Sequence, residues 1–279
     1  MKKLISLILF VIFTISIAVA QSGLDVIKLM IEKNKQVKGL RYILIMQERI
    51  EGKFIKTKML QKINTTPFKV YLKQDYPDKD LELLYVTGLN NGKARVKKNA
   101  IIKVSLDPYG SMIRKNQHNT VFNSGFNYTI NIMEFLMKKY ADKAEKMVIN
   151  EGLVKVEDGS ICYKLTLEDP DFKYINYTVK KGETLTSIAK KMYVSDYMIL
   201  ENNPKVDWFD DVEEGDVIKV PTVYAKKTIL YIDKSVMLPT IIKIFDDKGL
   251  FEQYEFSKLQ FNPTFTAEEF SQDNKNYGF

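Results

Sequence analysis

From residue 40 to residue 106 the chain alternates apolar and polar side chains with a period of two, and only turns separate the runs. LRYILIMQERI (40–50) gives way at Glu51-Gly52-Lys53 to KFIKTKMLQKI (53–63), and PFKVYLKQ (67–74), LELLYVTG (81–88), KARVKK (93–98) and IIKVSL (101–106) follow. A period of two is the signature of a half-buried strand. Connections this short allow only antiparallel neighbours, because a parallel crossover needs a dozen residues or more. This stretch of the chain is therefore committed to an antiparallel meander.

The same pattern returns in LVKVED (153–158), ICYKLTLED (161–169), KTILYIDK (227–234) and PTIIKIFDDKGLFEQYEF (239–256), the last with a hairpin turn at Asp246-Asp247-Lys248-Gly249. Two segments have helical spacing instead: LDVIKLMIEKNKQ (24–36) and INIMEFLMKKYADKAEKM (130–147). LDPYGSMIRKNQHNT (106–120), punctuated by Pro108 and Gly110, reads as a loop. The expected class is α+β: a curved antiparallel β half-barrel with covering helices. Tyr42, Phe54, Tyr71, Leu83 and Tyr85 mark strand positions of which one face is interior. That interior is either a filled core or a cavity.

At 279 residues and 45% hydrophobic content there is material for one large core, or for one core and a small second domain. The first twenty residues read as a secretory signal peptide: two lysines, an apolar run from Leu4 to Ile17, and small residues at Ala18 and Ala20 before Gln21. An exported protein with Cys162 as its single cysteine has no internal disulfide and depends on packing. The alternation around Cys162 makes it a buried small hydrophobe. His118 is the single histidine, which excludes multi-histidine and Cys/His metal sites and leaves an ordinary loop histidine. No cofactor is implied. The +7 net charge comes from lysines spread along the chain, so it reads as solvated surface with weak attraction to anionic envelope polymers, and nucleic acid is not an expected partner.

One stretch breaks the sheet pattern. Between 175 and 223 stand six lysines and nine acidic residues, a local charge of −3 inside a basic chain. YTVKKGETLTSIAKKM (177–192) is a strand, a glycine turn and an amphipathic helix capped by Thr184, with Leu185, Ile188, Ala189 and Met192 on one face. Ser195 caps a second helix, SDYMILENN, which ends at Asn202-Asn203-Pro204, and EEGDVIKVP supplies a turn and a closing strand. Strand, helix, helix, strand make a separate βααβ module. If its two strands pair, its ends are adjacent, so it can replace a surface loop and be removed without unfolding the host.

YTVKKGETLTSIAKKM, the asparagine pair and GDVIKVP together resemble the LysM module. That resemblance implies binding of N-acetylglucosamine-containing glycans such as peptidoglycan. It places the sugar at Gly182, Glu183, Thr184 and Leu185, facing the loop that begins at Asn203, Pro204 and Lys205. Glycine lets a ligand approach the backbone closely, which suits an uncharged amphipathic sugar. The loop between Asn203 and Gly215, with Trp208 and Phe209 in it, is longer and more acidic than is usual in that family. Its Asp210, Asp211, Glu213 and Glu214 lack EF-hand spacing and read as a solvated acidic loop.

The remainder is similar to an uncharacterised family of exported bacterial envelope proteins with a layout like the LolA and LppX lipid carriers. The segments that carry this are PFKVYLK, ELLYVTGLNNGK, VSLDPYG, IRKNQHNT and LPTIIKIFDDKGLFEQYEFSKLQFNPTFTAEEF. The resemblance implies a shape and, by analogy, binding of a lipid or lipoprotein acyl chain. The expected organisation is a signal peptide (1–20), a discontinuous LolA-like domain (21–174 and 224–279) and an inserted LysM domain (175–223). The expected role is a non-enzymatic protein of the periplasm or cell envelope of a Gram-negative-type bacterium. A cell-wall hydrolase and a purely structural wall-binding protein are the alternatives. The sequence sets neither the cargo nor the oligomeric state.

Overall fold

The computed structural model describes residues 21–99 and 101–279, so the expected signal peptide lies outside the described residues. A helix opens the described chain: α1 (Gly23–Asn34), whose N-cap Ser22 side chain accepts the Asp25 N–H. Six strands follow, β1 (Gly39–Ile50), β2 (Lys53–Thr65), β3 (Phe68–Tyr76), β4 (Leu81–Val86), β5 (Ala94–Lys98) and β6 (Ile102–Leu106). The loop expected next contains a single helical turn, α2 (Ser111–Arg114). The second expected helix is shorter than its pattern. α3 (Asn127–Lys139) ends where Tyr140 leaves helical geometry and its hydroxyl donates to Asp169, and the remaining pattern forms only the turn α4 (Ala144–Met147).

Strands β7 (Val148–Lys155) and β8 (Ile161–Glu168) come next, and β11 (Lys227–Asp233), β12 (Pro239–Asp246) and β13 (Gly249–Phe261) complete one sheet. Between β8 and β11 lie β9 (Tyr174–Thr178), α5 (Leu185–Met192), α6 (Asp196–Glu201) and β10 (Val217–Pro221). The large sheet has eleven strands in the order β6-β5-β4-β3-β2-β1-β13-β12-β11-β8-β7, and every pairing is antiparallel. Its end strands, β6 and β7, are not paired with each other, so the sheet is open and not a closed barrel. Strongly twisted open sheets of this many strands curl, split or flatten. Register shifts in β1, β11, β12 and β2 increase the local twist.

One face of the sheet packs under α1 and α3. Val26, Ile27 and Met30 of α1 and Ile130, Ile132 and Met133 of α3 are buried there, opposite Tyr42, Leu44, Met59 and Leu72. The five strand positions expected to share an interior do not. Tyr42, Leu83 and Tyr85 join that core, but Phe54 is 51% exposed, and Tyr71 points to the other face. There the C-terminal segment covers the sheet, with Tyr277 stacked on Tyr71 at 3.8 Å between ring centroids. Even and odd positions of β3 are both buried because the tail supplies the second cover.

The βααβ unit fills the hairpin connection between β8 and β11, whose facing residues Glu168 and Lys227 pair directly. Its own strands pair from Tyr174↔Pro221 to Thr178↔Val217, so entry and exit are neighbours. Thr184 and Ser195 cap the helices, and Leu185, Ile188 and Ala189 are buried. The expectation of a self-contained module core meets a correction here. The buried residues of module and host form one continuous apolar cluster, to which α5 and α6 contribute their buried faces while Ser187, Lys190 and Lys191 stay exposed.

Candidate functional site

The turn before α5 is built from its own side chains. Gly182 takes φ +76, and a Cβ placed there meets no atom within 4 Å, so this backbone is open to approach. Glu183 accepts the Lys180 N–H at 3.0 Å and the Tyr177 hydroxyl at 2.8 Å. Its carboxyl is held below the usual range by the Lys180 amide, against some burial, with help from Tyr177 and Lys191. Thr184 and Ser187 form a reciprocal capping box. Leu185 is wholly buried, and its N–H donates to the Phe209 carbonyl at 2.8 Å, which joins the turn to the opposing loop.

On that loop the Asn203 side chain donates to the carbonyls of Ile199 and Lys219 and accepts the Lys219 N–H. It is a staple between α6 and β10. Pro204 and Lys205 are exposed. Of the seven residues expected at a glycan site, then, four side chains (Glu183, Thr184, Leu185 and Asn203) hold the scaffold. The Gly182 backbone, Pro204 and Lys205 are the parts that face outward. Asp210, Asp211, Glu213 and Glu214 are exposed.

The structure corrects the reading of His118 as an ordinary loop histidine. It is 1% exposed, and its ring packs on both Phe251 of β13 and Tyr197 of α6, with centroids 4.1 and 4.3 Å away. The cause lies in the sheet register. Glu48 of β1 faces Glu252 of β13 as a direct cross-strand pair on the buried face, an arrangement that two carboxylates cannot hold alone. His118 Nδ1 lies 2.8 Å from Glu252, its main-chain N–H donates to Glu48 at 3.1 Å, and its Nε2 lies 2.9 Å from the Arg49 carbonyl. Tyr254 donates toward Glu48, and Tyr224 toward Glu252.

Burial works against the His118 charge, but Glu48 and the Glu252 hydrogen bond outweigh it and raise its pKa. Glu48 is itself raised, chiefly by burial, with His118 acting the other way. The ligand atoms of Glu48, His118 and Glu252 lie within 4.8 Å of one another, close enough to hold a metal ion. All three already have hydrogen-bond partners within the chain, so the cluster closes on itself as a network.

This network sits at a seam. Arg49, beside Glu48, pairs with Asp246 of the host and with Glu201 of α6 at 2.9 Å, and Lys248 reaches the same Glu201 at 3.3 Å. Arg114 of α2 pairs with Asp196 at 2.9 Å, and its guanidinium lies 3.5 Å from the Phe209 ring centroid. Sequence reasoning missed Glu48, Arg49, Arg114 and Glu252. The available signal was parity: Glu48 stands on the same strand face as Tyr42, Leu44 and Met46.

Between the helices and the sheet lies a cavity of about 110 Å³. Leu44, Met59, Leu72 and Phe256 line its apolar part, and Glu48, Glu252 and Tyr254 line one side. An engineered apolar cavity of about 150 Å³ holds one benzene ring, which sets the scale.

A family described as "Protein of unknown function (DUF1571)" matches residues 37–185 and 213–279, more than half of the chain. The chain belongs to the DUF1571 family. The LysM domain profile matches residues 177–221, inside and across the gap in the DUF1571 match. Among curated proteins no match is found. Among solved structures, the chain is similar to a DUF1329 family protein from Desulfovibrio piger, with 9% identity and a TM-score of 0.35 over 91% of this chain and 98% of that one. It is similar to the lipoprotein LppX of Mycobacterium tuberculosis, with 12% identity and a TM-score of 0.41 over 87% and 97%. MucB, solved with MucA from Pseudomonas aeruginosa, gives 10% identity and a TM-score of 0.41 over 89% of this chain and 60% of that one. Among the described residues of this DUF1571 chain, no helix is long and apolar enough to cross a membrane.

Proposed function

We propose that the chain is a non-enzymatic, exported envelope protein that binds N-acetylglucosamine-containing glycan, such as peptidoglycan, through the inserted module. The LysM match over 177–221 carries this reading. The open turn at Gly182, and the exposure of Pro204 and Lys205 on the loop that the Leu185–Phe209 hydrogen bond joins to it, support it. Backbone groups and shape, rather than charge, recognise an uncharged sugar, so binding to insoluble peptidoglycan should persist as salt rises. Adhesion of a basic surface to an anionic wall behaves oppositely, since the Debye length falls from about 10 Å at 0.1 M to about 3 Å at 1 M.

Co-sedimentation across that salt range, with wild type and Gly182→Asn, is the test. Asparagine tolerates positive φ, so the variant keeps the turn and adds a side chain in the path of the ligand. Binding that vanishes at high salt, or that ignores Gly182→Asn, sinks the reading. Release of soluble muropeptides in the same tubes would favour a hydrolase instead.

For the host domain the size of the cavity favours a packed scaffold that presents the module. At about 110 Å³ the space takes a small ring rather than a long acyl chain unless α3 leaves the sheet. Native mass spectrometry of protein from its own envelope tests this, and a retained lipid mass would restore the carrier reading.

A further inference from the structure

Between α3 and the module runs a cleft of about 410 Å³, within the range of small-ligand pockets. Its lining residues do not include Gly182, Pro204 or Lys205. Its walls carry Tyr109, Phe122 and Tyr128 from the host and Tyr193 from the module, with Asn131 on α3 and the Arg114–Asp196 pair also lining it. Arg114 and Asp196 neutralise each other, so apart from Lys190 at its edge the lining is aromatic and amide. That chemistry suits a neutral ring with one apolar face and hydroxyl or acetamido groups at its edge.

Two details support a ligand here. Tyr193 ends α5 at φ +57, a conformation that bulky residues rarely adopt and that glycine would take freely. The tyrosine keeps this backbone while its ring stacks on Phe135 of α3 at 4.4 Å and stays 40% exposed at the cleft. Secondly, Arg114 is 2% exposed, yet its Nε–H has no partner among the described residues. It is a buried donor in the cleft wall, reached by a ligand only if the wall shifts, and an acetamido carbonyl is an acceptor of the right kind.

The cleft also adjoins the glycan turn. Phe209 accepts the Leu185 N–H through its carbonyl and lies under the Arg114 guanidinium with its ring, so one residue links both places. We propose that the cleft is a second saccharide subsite, shared by host and module, for a further N-acetylated sugar of the strand held at the turn. This rests on the glycan reading of the module.

Calorimetry with β-1,4-linked N-acetylglucosamine dimers and hexamers tests it on the full chain. The wild type should bind the hexamer about tenfold or more tighter than the dimer, because a second subsite acts within one ligand. Tyr193→Gly, which relieves the backbone, should remove that advantage and leave dimer affinity unchanged, and Tyr109→Ala should do so in part. A hexamer advantage that survives both variants overturns the subsite while leaving the turn assignment intact. Gly182→Asn separates the two readings in the other direction: loss of dimer binding with hexamer binding still sensitive to Tyr193→Gly supports the subsite. Binding of free stem peptide, in place of saccharide, that Tyr193→Gly abolishes would also overturn it.

Discussion

The inserted module has two polar faces, and they direct their polar groups oppositely. At the turn, Glu183, Thr184 and Asn203 bond back to the module itself. At the seam, Asp196, Tyr197 and Glu201 reach across to Arg114, His118 and Arg49 of the host. The first arrangement holds the turn in shape from within the module. The second fixes it in one orientation on one host, since buried ion pairs gain little net stability yet tolerate no unpaired alternative.

The largest effect should come from removing the centre of the seam. Arg49→Met strands the fully buried Asp246 carboxylate and deprives Glu201 of its main partner, which should cost about 3–5 kcal/mol in urea unfolding. Adding Asp246→Leu and Glu201→Leu to Arg49→Met should recover much of that loss. A single-variant cost below about 1 kcal/mol would mean that the seam is solvated and the contrast between the faces is false.

Leu185→Ala tests the continuity of the core. The side chain is wholly buried, so the cavity should cost about 2–5 kcal/mol. Because module and host share one apolar cluster, a single cooperative transition should shift, read alike by far-UV circular dichroism and by Trp208 fluorescence. Two separated transitions would restore the autonomous module.

The seam should also respond to pH, and in a definite direction. His118 has a raised pKa in the fold, so its contribution is complete below about 6.5 and is lost as pH rises through the raised value. Glu48, raised by burial, acts in the same sense from about 4.5 upward. Glu201 acts oppositely. Against burial, the hydrogen bond from Arg49 and the Arg49 and Lys248 charges hold it low, so its contribution is present above about 4.5 and is lost as pH falls. Hydrogen exchange at 196–201 should therefore be slowest in mildly acidic buffer and quicken above neutrality. His118→Gln should flatten the alkaline limb; exchange independent of pH from 5 to 9, after correction for the intrinsic rate, would remove His118 from the seam.

These contrasts also explain what was legible in the sequence. Strands and caps were, because alternation from Leu40 onward and the Thr184 and Ser195 signals act over a few residues. The seam was not, because its partners meet only through topology: Arg49 and Asp246 stand 197 positions apart. The side-chain roles at the Gly182 turn and its opposing loop were not legible, since spacing does not reveal that Asn203 is tied to Lys219. Tyr71 was misassigned for a similar reason. Its partner Tyr277 belongs to a C-terminal segment with no periodic pattern of its own.

The smallest effect offers the finest test of the contrast. Thr184 caps α5 by accepting the Ser187 N–H at 3.1 Å, while its own N–H donates to the Ser187 hydroxyl at 2.8 Å. Thr184→Ala removes the acceptor and leaves the second bond available, so stability should fall by about 1 kcal/mol, the usual value of an N-cap. If the side chains of this turn are scaffold and its backbone is the recognition surface, affinity for the N-acetylglucosamine dimer should stay within about twofold of wild type, a difference of only about 0.4 kcal/mol. Gly182→Asn should do the reverse, with little change in stability and a large loss of affinity. Loss of affinity in Thr184→Ala while α5 stays folded would make the hydroxyl a ligand group and erase the division between the two faces.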